Sequence, residues 1–213
     1  MNPIFTDHGA GGLSPLFSFQ RISPGMLSIV RSQMKGRKFS DAMIEGTCSA
    51  CKWGYPRVVV CSPLLRGRPF PTLFWLSCPW LVLQAGRLES QGGVRELEDV
   101  LRSRRAAWVS FNTRASLLRL FMISSCHRKF MNRFSRKKYY VLRRTEVGGI
   151  SPSDRITVKC IHLQLAAFLA MRAHPGSDWL LEKFPALSCP DPGKEVCGLL
   201  PIPRQVSVSG GSL

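Results

Sequence analysis

The sequence predicts an α+β fold, a mostly helical single domain with a small β-hairpin. Residues 57–61 are β-branched and residues 70–77 are rich in aromatics, which is typical of two strands. From residue 79 to residue 173, apolar side chains recur mainly at helical spacing. A chain of 213 residues, 45% apolar and 20% charged, is long enough for one sizeable core.

The hairpin is predicted around Gly67. Arg57 to Cys61 reads Arg-Val-Val-Val-Cys, a β-branched run that favours a strand. Residues 64–69 supply the turn, and Phe70 to Ser77 forms the returning strand. The antiparallel pair therefore ends immediately before Cys78, where the pattern changes.

Helices are predicted for most of the chain after the hairpin. Proline is favoured at the first helical position, so Pro79 begins a helix and Cys78 becomes its N-cap. Gly92-Gly93 ends this helix. The later predicted elements, in chain order, are a helix over 94–104, a long helix within 102–144, a loop over 145–157, a helix over 158–173 and a short helix over 178–184.

The long helix is strongly basic. Its apolar side chains keep helical spacing from Trp108 to Val141, with one turn skipped. Thirteen Lys and Arg lie between Arg102 and Arg144, with no acidic residue between Asp99 and Glu146. The region carries most of the net charge of +17, which comes from 30 Lys and Arg against 13 Asp and Glu. Such a charge attracts polyanions such as RNA, DNA or an anionic membrane, and also phosphorylated ligands.

The candidate anion-binding residues follow from this charge. On the long helix they are Arg128, Lys129, Arg136, Lys137 and Lys138. Tyr139-Tyr140 adds aromatic rings beside the charges, as on RNA-binding surfaces. Lys159, with the N-terminus of the 158–173 helix, forms a second candidate anion site. A merely solvated basic face is the alternative interpretation, although the absence of acidic partners favours an interaction surface.

The two ends of the chain are predicted to lie outside the domain. Residues 1–25 are rich in Gly, Ser and Pro and are expected to form a disordered extension, unless Met26 is the true start. Residues 26–189 form the globular domain, and residues 190–213 are expected to be a flexible tail. The N-terminus lacks the features of a secretory signal, and prolines interrupt the most apolar stretch, so we expect a cytoplasmic protein without a transmembrane segment.

Eight cysteines in a reducing cytosol leave metal binding, catalysis or plain burial as their roles. Cys51, Cys78, Cys160 and His162 supply three thiolates and one imidazole, the ligands of a tetrahedral zinc site at about 2.0–2.3 Å. Zinc is therefore the expected cofactor if the three sulfurs lie about 4 Å apart. The alternative is that these cysteines are small buried apolar side chains.

A cysteine-dependent enzyme is the second functional hypothesis. A helix N-terminus stabilises a thiolate, so Cys78 is the candidate nucleophile, with His162 as its base. The substrate would be a phosphorylated or acyl compound. The single Cys48-Ser-Ala-Cys51 pair makes Cys48 an alternative ligand to His162.

Four segments, in order, resemble a bacterial family known as domain of unknown function 501. They are Cys51-Lys-Trp-Gly-Tyr-Pro56, Phe70-Pro-Thr-Leu-Phe-Trp-Leu-Ser-Cys-Pro79, Arg87-Leu-Glu-Ser-Gln-Gly-Gly93 and Val158-Lys-Cys-Ile-His162. The resemblance covers roughly residues 26–189, and the family's usual Asn-Pro-x-Gly reads His174-Pro-Gly-Ser177 here. It implies a small intracellular protein without an established activity, and it adds weight to the Cys51, Cys78, Cys160 and His162 set.

Overall fold

A four-stranded antiparallel sheet forms one side of the core in the computed structural model, which describes residues 4–7, 13–151 and 155–201. The strands are β1 (Ile4–Asp7), β2 (Leu13–Phe17), β3 (Gln20–Arg21), β4 (Ile44–Ala50), β5 (Pro56–Cys61), β6 (Leu64–Leu65), β7 (Arg68–Pro69) and β8 (Phe74–Leu76). The strand order in the sheet is β3-β4-β5-β8. Two further two-stranded ribbons pair β1 with β2 and β6 with β7.

The predicted hairpin is confirmed in β5 and β8. These strands pair antiparallel, with Val58 opposite Leu76 and Val60 opposite Phe74. The small β6–β7 ribbon occupies the predicted turn. Strand β4 was not predicted, because Ile-Glu-Gly-Thr-Cys-Ser-Ala contains few strong strand formers. Its pairing with β5 holds it in the sheet.

Eight α-helices lie within the described ranges, which agrees with the predicted α+β class. They are α1 (Pro24–Gln33), α2 (Pro79–Ser90), α3 (Gly93–Arg102), α4 (Arg105–Phe121), α5 (Ser125–Phe134), α6 (Arg136–Arg144), α7 (Ile161–Met171) and α8 (Ser177–Lys183). Short 3-10 turns cover Asp41–Met43, Pro192–Lys194 and Val196–Leu199. None of the helices within the described ranges has the length and apolar character needed to cross a membrane.

Helix α7 is the centre of the core. It packs against β8, α2 and β5. Buried residues occur on all sides of it, as expected of a helix enclosed by other elements. It begins at Ile161 rather than at Val158, because Cys160 is still extended, with φ −167° and ψ 157°.

The long basic helix is broken into α4, α5 and α6. Ser124 separates α4 from α5. It caps the N-terminus of α5, because its hydroxyl accepts from the backbone N–H of His127. Ser135, with φ −140°, separates α5 from α6. The apolar stripe is therefore buried only as far as α4, and Phe130 and Phe134 are exposed rather than in the core.

Both predicted appendages contribute packed residues, in contrast to the sequence-based boundaries. Phe17 and Phe19 are buried, their rings stack at 5.4 Å between centroids, and Phe17 also contacts Phe74. At the other end Cys197 is buried, and the Tyr55 hydroxyl donates to the carbonyl oxygen of Leu200 at 2.9 Å. Residues 1–3, 8–12 and 202–213 of the predicted appendages lie outside the described residues.

Candidate functional site

Glu89, Cys160 and His162 meet where the last turn of α2 faces the first turn of α7. One ligand atom from each lies within 4.8 Å of the others, and within the described residues this is the one group of three or more His, Cys, Asp and Glu side chains that does so. All three side chains are partly buried. The extended backbone at Cys160 allows it to converge with His162, two residues further along.

The Glu89 carboxylate caps α7. Its Oε1 atom accepts from the backbone N–H of Ile161 at 2.6 Å and from that of His162 at 3.3 Å. Helix N-termini leave such N–H groups without intrahelical partners, and a negative charge there is favoured by the helix dipole. A side chain from a different helix therefore performs the capping that the thiol of Cys160 does not provide.

Both ring nitrogens of His162 face acceptors. Nδ1 lies 2.9 Å from Glu89 Oε1, and Nε2 lies 3.1 Å from the carbonyl oxygen of Val82. A carbonyl oxygen only accepts, so Nε2 must carry a hydrogen. Glu89 Oε1 also accepts from two backbone N–H groups of α7, so both ring nitrogens of His162 are engaged within the fold. Zinc at this group would have to displace one of these contacts.

Cys160 is held as a thiol. Burial raises its pKa most strongly, the backbone N–H of Leu163 opposes this by lowering the pKa, and the negative charge of Glu89 raises it by a smaller amount. A cysteine nucleophile must be a thiolate. The Glu89, Cys160 and His162 group joins α2 to α7 by hydrogen bonds from His162 and the α7 backbone to Glu89.

The structure does not bring the four predicted zinc ligands together. Cys160 and His162 are neighbours, but Cys51 and Cys78 are not part of their group. Cys78 N-caps α2, whereas Glu89 lies near the end of the same helix, about 16 Å away at 1.5 Å per residue. Cys51 follows the end of β4. The two halves of the predicted set thus lie in different parts of the fold.

Cys78 is poorly suited to nucleophilic catalysis. Burial raises the pKa of its thiol to about 12, outweighing the stabilising contacts from the backbone N–H groups of Leu81 and Trp80. His162, its predicted base, already has both ring nitrogens engaged. The backbone N–H groups at the start of α2 lower the pKa of Cys78, as expected, but desolvation is the larger effect. Cys48, the alternative ligand, also has its pKa raised to about 12 by burial.

The predicted anion-binding residues of α5 and α6 lie on one short stretch of surface. Lys129, Arg136 and Lys137 are exposed. Arg128 and Lys138 are partly committed to the fold, because Arg128 donates to the carbonyl oxygen of Leu120 at 3.0 Å and Lys138 to that of Gly67 at 2.9 Å. Residues 133–138 line a shallow depression between the two helices.

Exposed aromatic rings stand among these charges. Phe134, Tyr140 and Phe130 are 66%, 59% and 56% exposed. The guanidinium carbon of Arg133 lies 5.6 Å from the Phe134 ring centroid, and that of Arg144 lies 5.7 Å from the Tyr140 ring centroid. We call this set the basic–aromatic surface, defined by Arg128, Lys129, Phe130, Arg133, Phe134, Arg136, Lys137, Lys138, Tyr140 and Arg144.

The second predicted anion site is already filled by the protein itself. The N-terminus of α7 is capped by the Glu89 carboxylate. The Lys159 ammonium donates to the carbonyl oxygen of Gly148 at 3.3 Å. Lys159 therefore stabilises the preceding loop through Gly148. An external anion would have to compete with the Glu89 carboxylate for the N-terminus of α7.

Arg119 and Glu89 are the two important residues that sequence reasoning missed. Arg119 was counted among the basic residues of the long helix, yet it is 1% exposed. Its guanidinium donates to the carbonyl oxygens of Leu142, Pro71, Glu146 and Thr145, and so holds the end of α6. Its position four residues after Ala115, at the edge of the apolar stripe, was the available signal.

The family described as "Protein of unknown function (DUF501)" matches residues 47–182. The chain belongs to this family, as the resemblance in the sequence indicated. The matched range includes Glu89, Cys160 and His162 and the whole basic–aromatic surface, and it ends before Cys189. No curated protein and no solved structure matches the chain.

Proposed function

We propose that this protein binds single-stranded nucleic acid through the basic–aromatic surface of α5 and α6. The observation that carries the proposal is the exposure of three aromatic rings beside cationic side chains, in a stretch without any acidic residue between Asp99 and Glu146. Phosphates and bases are the two parts of a nucleic acid that such a surface recognises.

The charge of the surface suits a phosphate backbone. Each Lys or Arg that contacts a phosphate releases a condensed counterion, so binding draws on the release of salt as well as on direct attraction. Lys129, Arg136 and Lys137 are exposed, and Arg136 and Lys137 line the depression at the junction of α5 and α6. Glu and Asp side chains, which would repel phosphates, are absent from this segment of the sequence.

The rings suit unpaired bases. A base stacks on an aromatic face whatever its sequence, and Arg adds a cation–π contact. Phe130 and Phe134 have ring centroids 5.1 Å apart, forming a pair that remains largely exposed. The depression over residues 133–138 is shallow and open, which fits an extended strand better than a small phosphorylated ligand.

A cytoplasmic location belongs to the same proposal. All eight cysteines are free, in keeping with a reducing compartment where RNA is abundant.

The ring contribution can be tested at constant charge. We expect replacement of Phe130 and Phe134 by alanine to weaken binding of a single-stranded RNA oligonucleotide by at least about tenfold, since stacking contributes about 1–3 kcal/mol per base. Affinity for heparin, which has no bases, should change little. A control variant with Leu83 and Leu181 changed to alanine removes two exposed apolar side chains elsewhere. Equal losses for RNA and heparin would refute base stacking.

A further inference from the structure

Two cysteines from different elements lie beside the beginning of β5. The backbone N–H of Cys51 donates to the carbonyl oxygen of Tyr55 at 2.8 Å. The backbone N–H of Cys78 donates to the carbonyl oxygen of Arg57 at 3.3 Å. Cys51 and Cys78 are therefore both held near Pro56 and Arg57, the first two residues of β5.

The C-terminal segment brings two more cysteines to the same place. The Trp53 indole N–H donates to the carbonyl oxygen of Cys189 at 2.9 Å, and the backbone N–H of Lys52 donates to the Ser188 hydroxyl at 3.1 Å. Cys197 is buried and shares an apolar cluster with Cys51 and Tyr55. Residues 188–200 thus pack against the β4–β5 turn, and Cys189 and Cys197 are both buried there.

Hydrogen bonds of adjacent residues join the two halves of the set. The Gln33 amide and the Ser77 hydroxyl both donate to the carbonyl oxygen of Pro56, at 3.0 Å and 3.3 Å. The Arg57 guanidinium donates to the carbonyl oxygen of Leu187 at 3.2 Å. Ser77 precedes Cys78 and Leu187 lies two residues before Cys189, so the set converges on one region.

Cationic and polar partners for thiolates are present around the set. Arg57 interacts with Cys51 and Cys78, and Lys52 interacts with Cys189. The side chain of Gln33, which donates to the Pro56 carbonyl oxygen at 3.0 Å, also forms a hydrogen bond with Cys197. Four thiolates around a divalent ion carry a net charge of −2, which Arg57 and Lys52 would offset.

We propose that Cys51, Cys78, Cys189 and Cys197 bind one zinc ion. Four thiolates in tetrahedral arrangement are a common structural zinc site. In the described residues no three sulfurs of this set lie within 4.8 Å, so binding draws the thiolates inward by side-chain rotation and releases their protons to solvent. The metal then fastens residues 188–200 to the β4–β5 turn and to the start of α2.

Zinc content and single-cysteine variants test the assignment. We expect the full-length protein, purified under reducing conditions without chelator, to contain about one zinc per chain by mass spectrometry. Cys189→Ser and Cys197→Ser should each lower that content severalfold and abolish the thiolate-to-cobalt absorption on Co²⁺ substitution. Cys126→Ser, on an exposed cysteine, and Cys160→Ser, in the Glu89 group, should leave both unchanged.

Proteolysis supplies a readout that is independent of metal analysis. Lys194 is an exposed trypsin site within the fastened segment. Chelation should accelerate cleavage after Lys194 severalfold in the parent protein. It should not do so in the Cys197→Ser variant, in which the metal no longer fastens residues 188–200. Protein without zinc, zinc retained in both Cys189→Ser and Cys197→Ser, or zinc lost in Cys160→Ser would each overturn the proposal.

Discussion

Glu89 Oε1 lies 2.9 Å from His162 Nδ1, across a separation of 73 residues in the chain. The same oxygen caps the first turn of α7. One carboxylate therefore supplies both the cap of the central helix and a hydrogen-bond partner for its histidine, and α2 is tied to α7 at this point. This contact explains why the Cys160–His162 segment, which resembles a metal-binding motif, is already hydrogen-bonded to other groups of the protein.

Replacing Glu89 with alanine should lower the free energy of unfolding by about 2 kcal/mol, because hydrogen bonds to a charged, partly buried group are lost. Glu89→Gln should lose less, since an amide oxygen still accepts from the α7 backbone. The measurement is urea denaturation at pH 7. Glu96→Ala, which breaks an exposed ion pair with Lys183, is the matched control and should cost less. Equal effects of Glu89→Ala and Glu96→Ala would contradict the role given to Glu89.

His174 should make stability depend on pH. Burial lowers its pKa to about 3, and the neutral ring accepts from the Gly176 N–H at 2.9 Å while Nε2 bonds to Gln164 Oε1 at 2.9 Å. Below its unfolded pKa of about 6.5, the unfolded chain binds a proton that the native state does not. Stability therefore falls as pH falls, by up to about 1.4 kcal/mol per unit.

Denaturation curves between pH 7 and pH 4 check this pH dependence. The His174→Asn variant has no titrating group at this position, so its stability should vary less steeply with pH than that of the parent. Parallel pH profiles for the two proteins would show that His174 does not contribute.

Arg119 should not tolerate lysine. Its buried guanidinium donates to four carbonyl oxygens around the end of α6, a fork of donors that a single ammonium cannot reproduce. We expect Arg119→Lys to cost about 3 kcal/mol, the range for disrupting a buried charged network. Arg114→Lys, on an exposed position of the same helix, should be neutral. Chemical denaturation measures the free energy of unfolding of both variants. Similar values for the two variants would contradict the structural role of Arg119.

Phe19 should matter to stability, although it lies in the region expected to be an appendage. Phe19→Ala removes a buried ring stacked on Phe17, and such truncations cost about 3–5 kcal/mol in a core. The neighbouring Ser18→Ala changes an exposed residue and serves as control. Thermal unfolding compares the two. An unchanged melting temperature for Phe19→Ala would instead support the prediction that residues 1–25 do not contribute to the stability of the fold.

Local patterns predicted the parts of the fold that local forces determine. The β-branched run of β5, the aromatic β8 and the Cys78-Pro79 start of α2 were all visible in the sequence. The breaks at Ser124 and Ser135 were not, because apolar residues continue across them at nearly helical spacing. Phe130 and Phe134 extend that spacing yet lie at the surface.

The candidate sites were harder to predict because their contacts are distant in the chain. Cys160 and His162 form a recognisable motif, but their partner Glu89 lies 71 and 73 residues before them, and only the packing of α2 on α7 joins them. Cys189 and Cys197 fall in a proline-rich segment without periodicity. Their approach to Cys51 depends on hydrogen bonds to residues 52–55, which no spacing rule reveals.

The dependence of RNA affinity on salt tests nucleic-acid binding most directly. For the parent protein, log K should fall linearly with log salt, with a slope of about −0.7 for each phosphate contacted. The variant carrying Lys129→Glu, Arg136→Glu and Lys137→Glu should bind far more weakly, with a slope smaller by about 2. Lys138 is left intact because it donates to Gly67. A charge-matched variant with Arg21, Lys35 and Lys38 changed to Glu should keep the parent slope. Parent-like affinity and slope in the Lys129, Arg136 and Lys137 variant would contradict the proposed function.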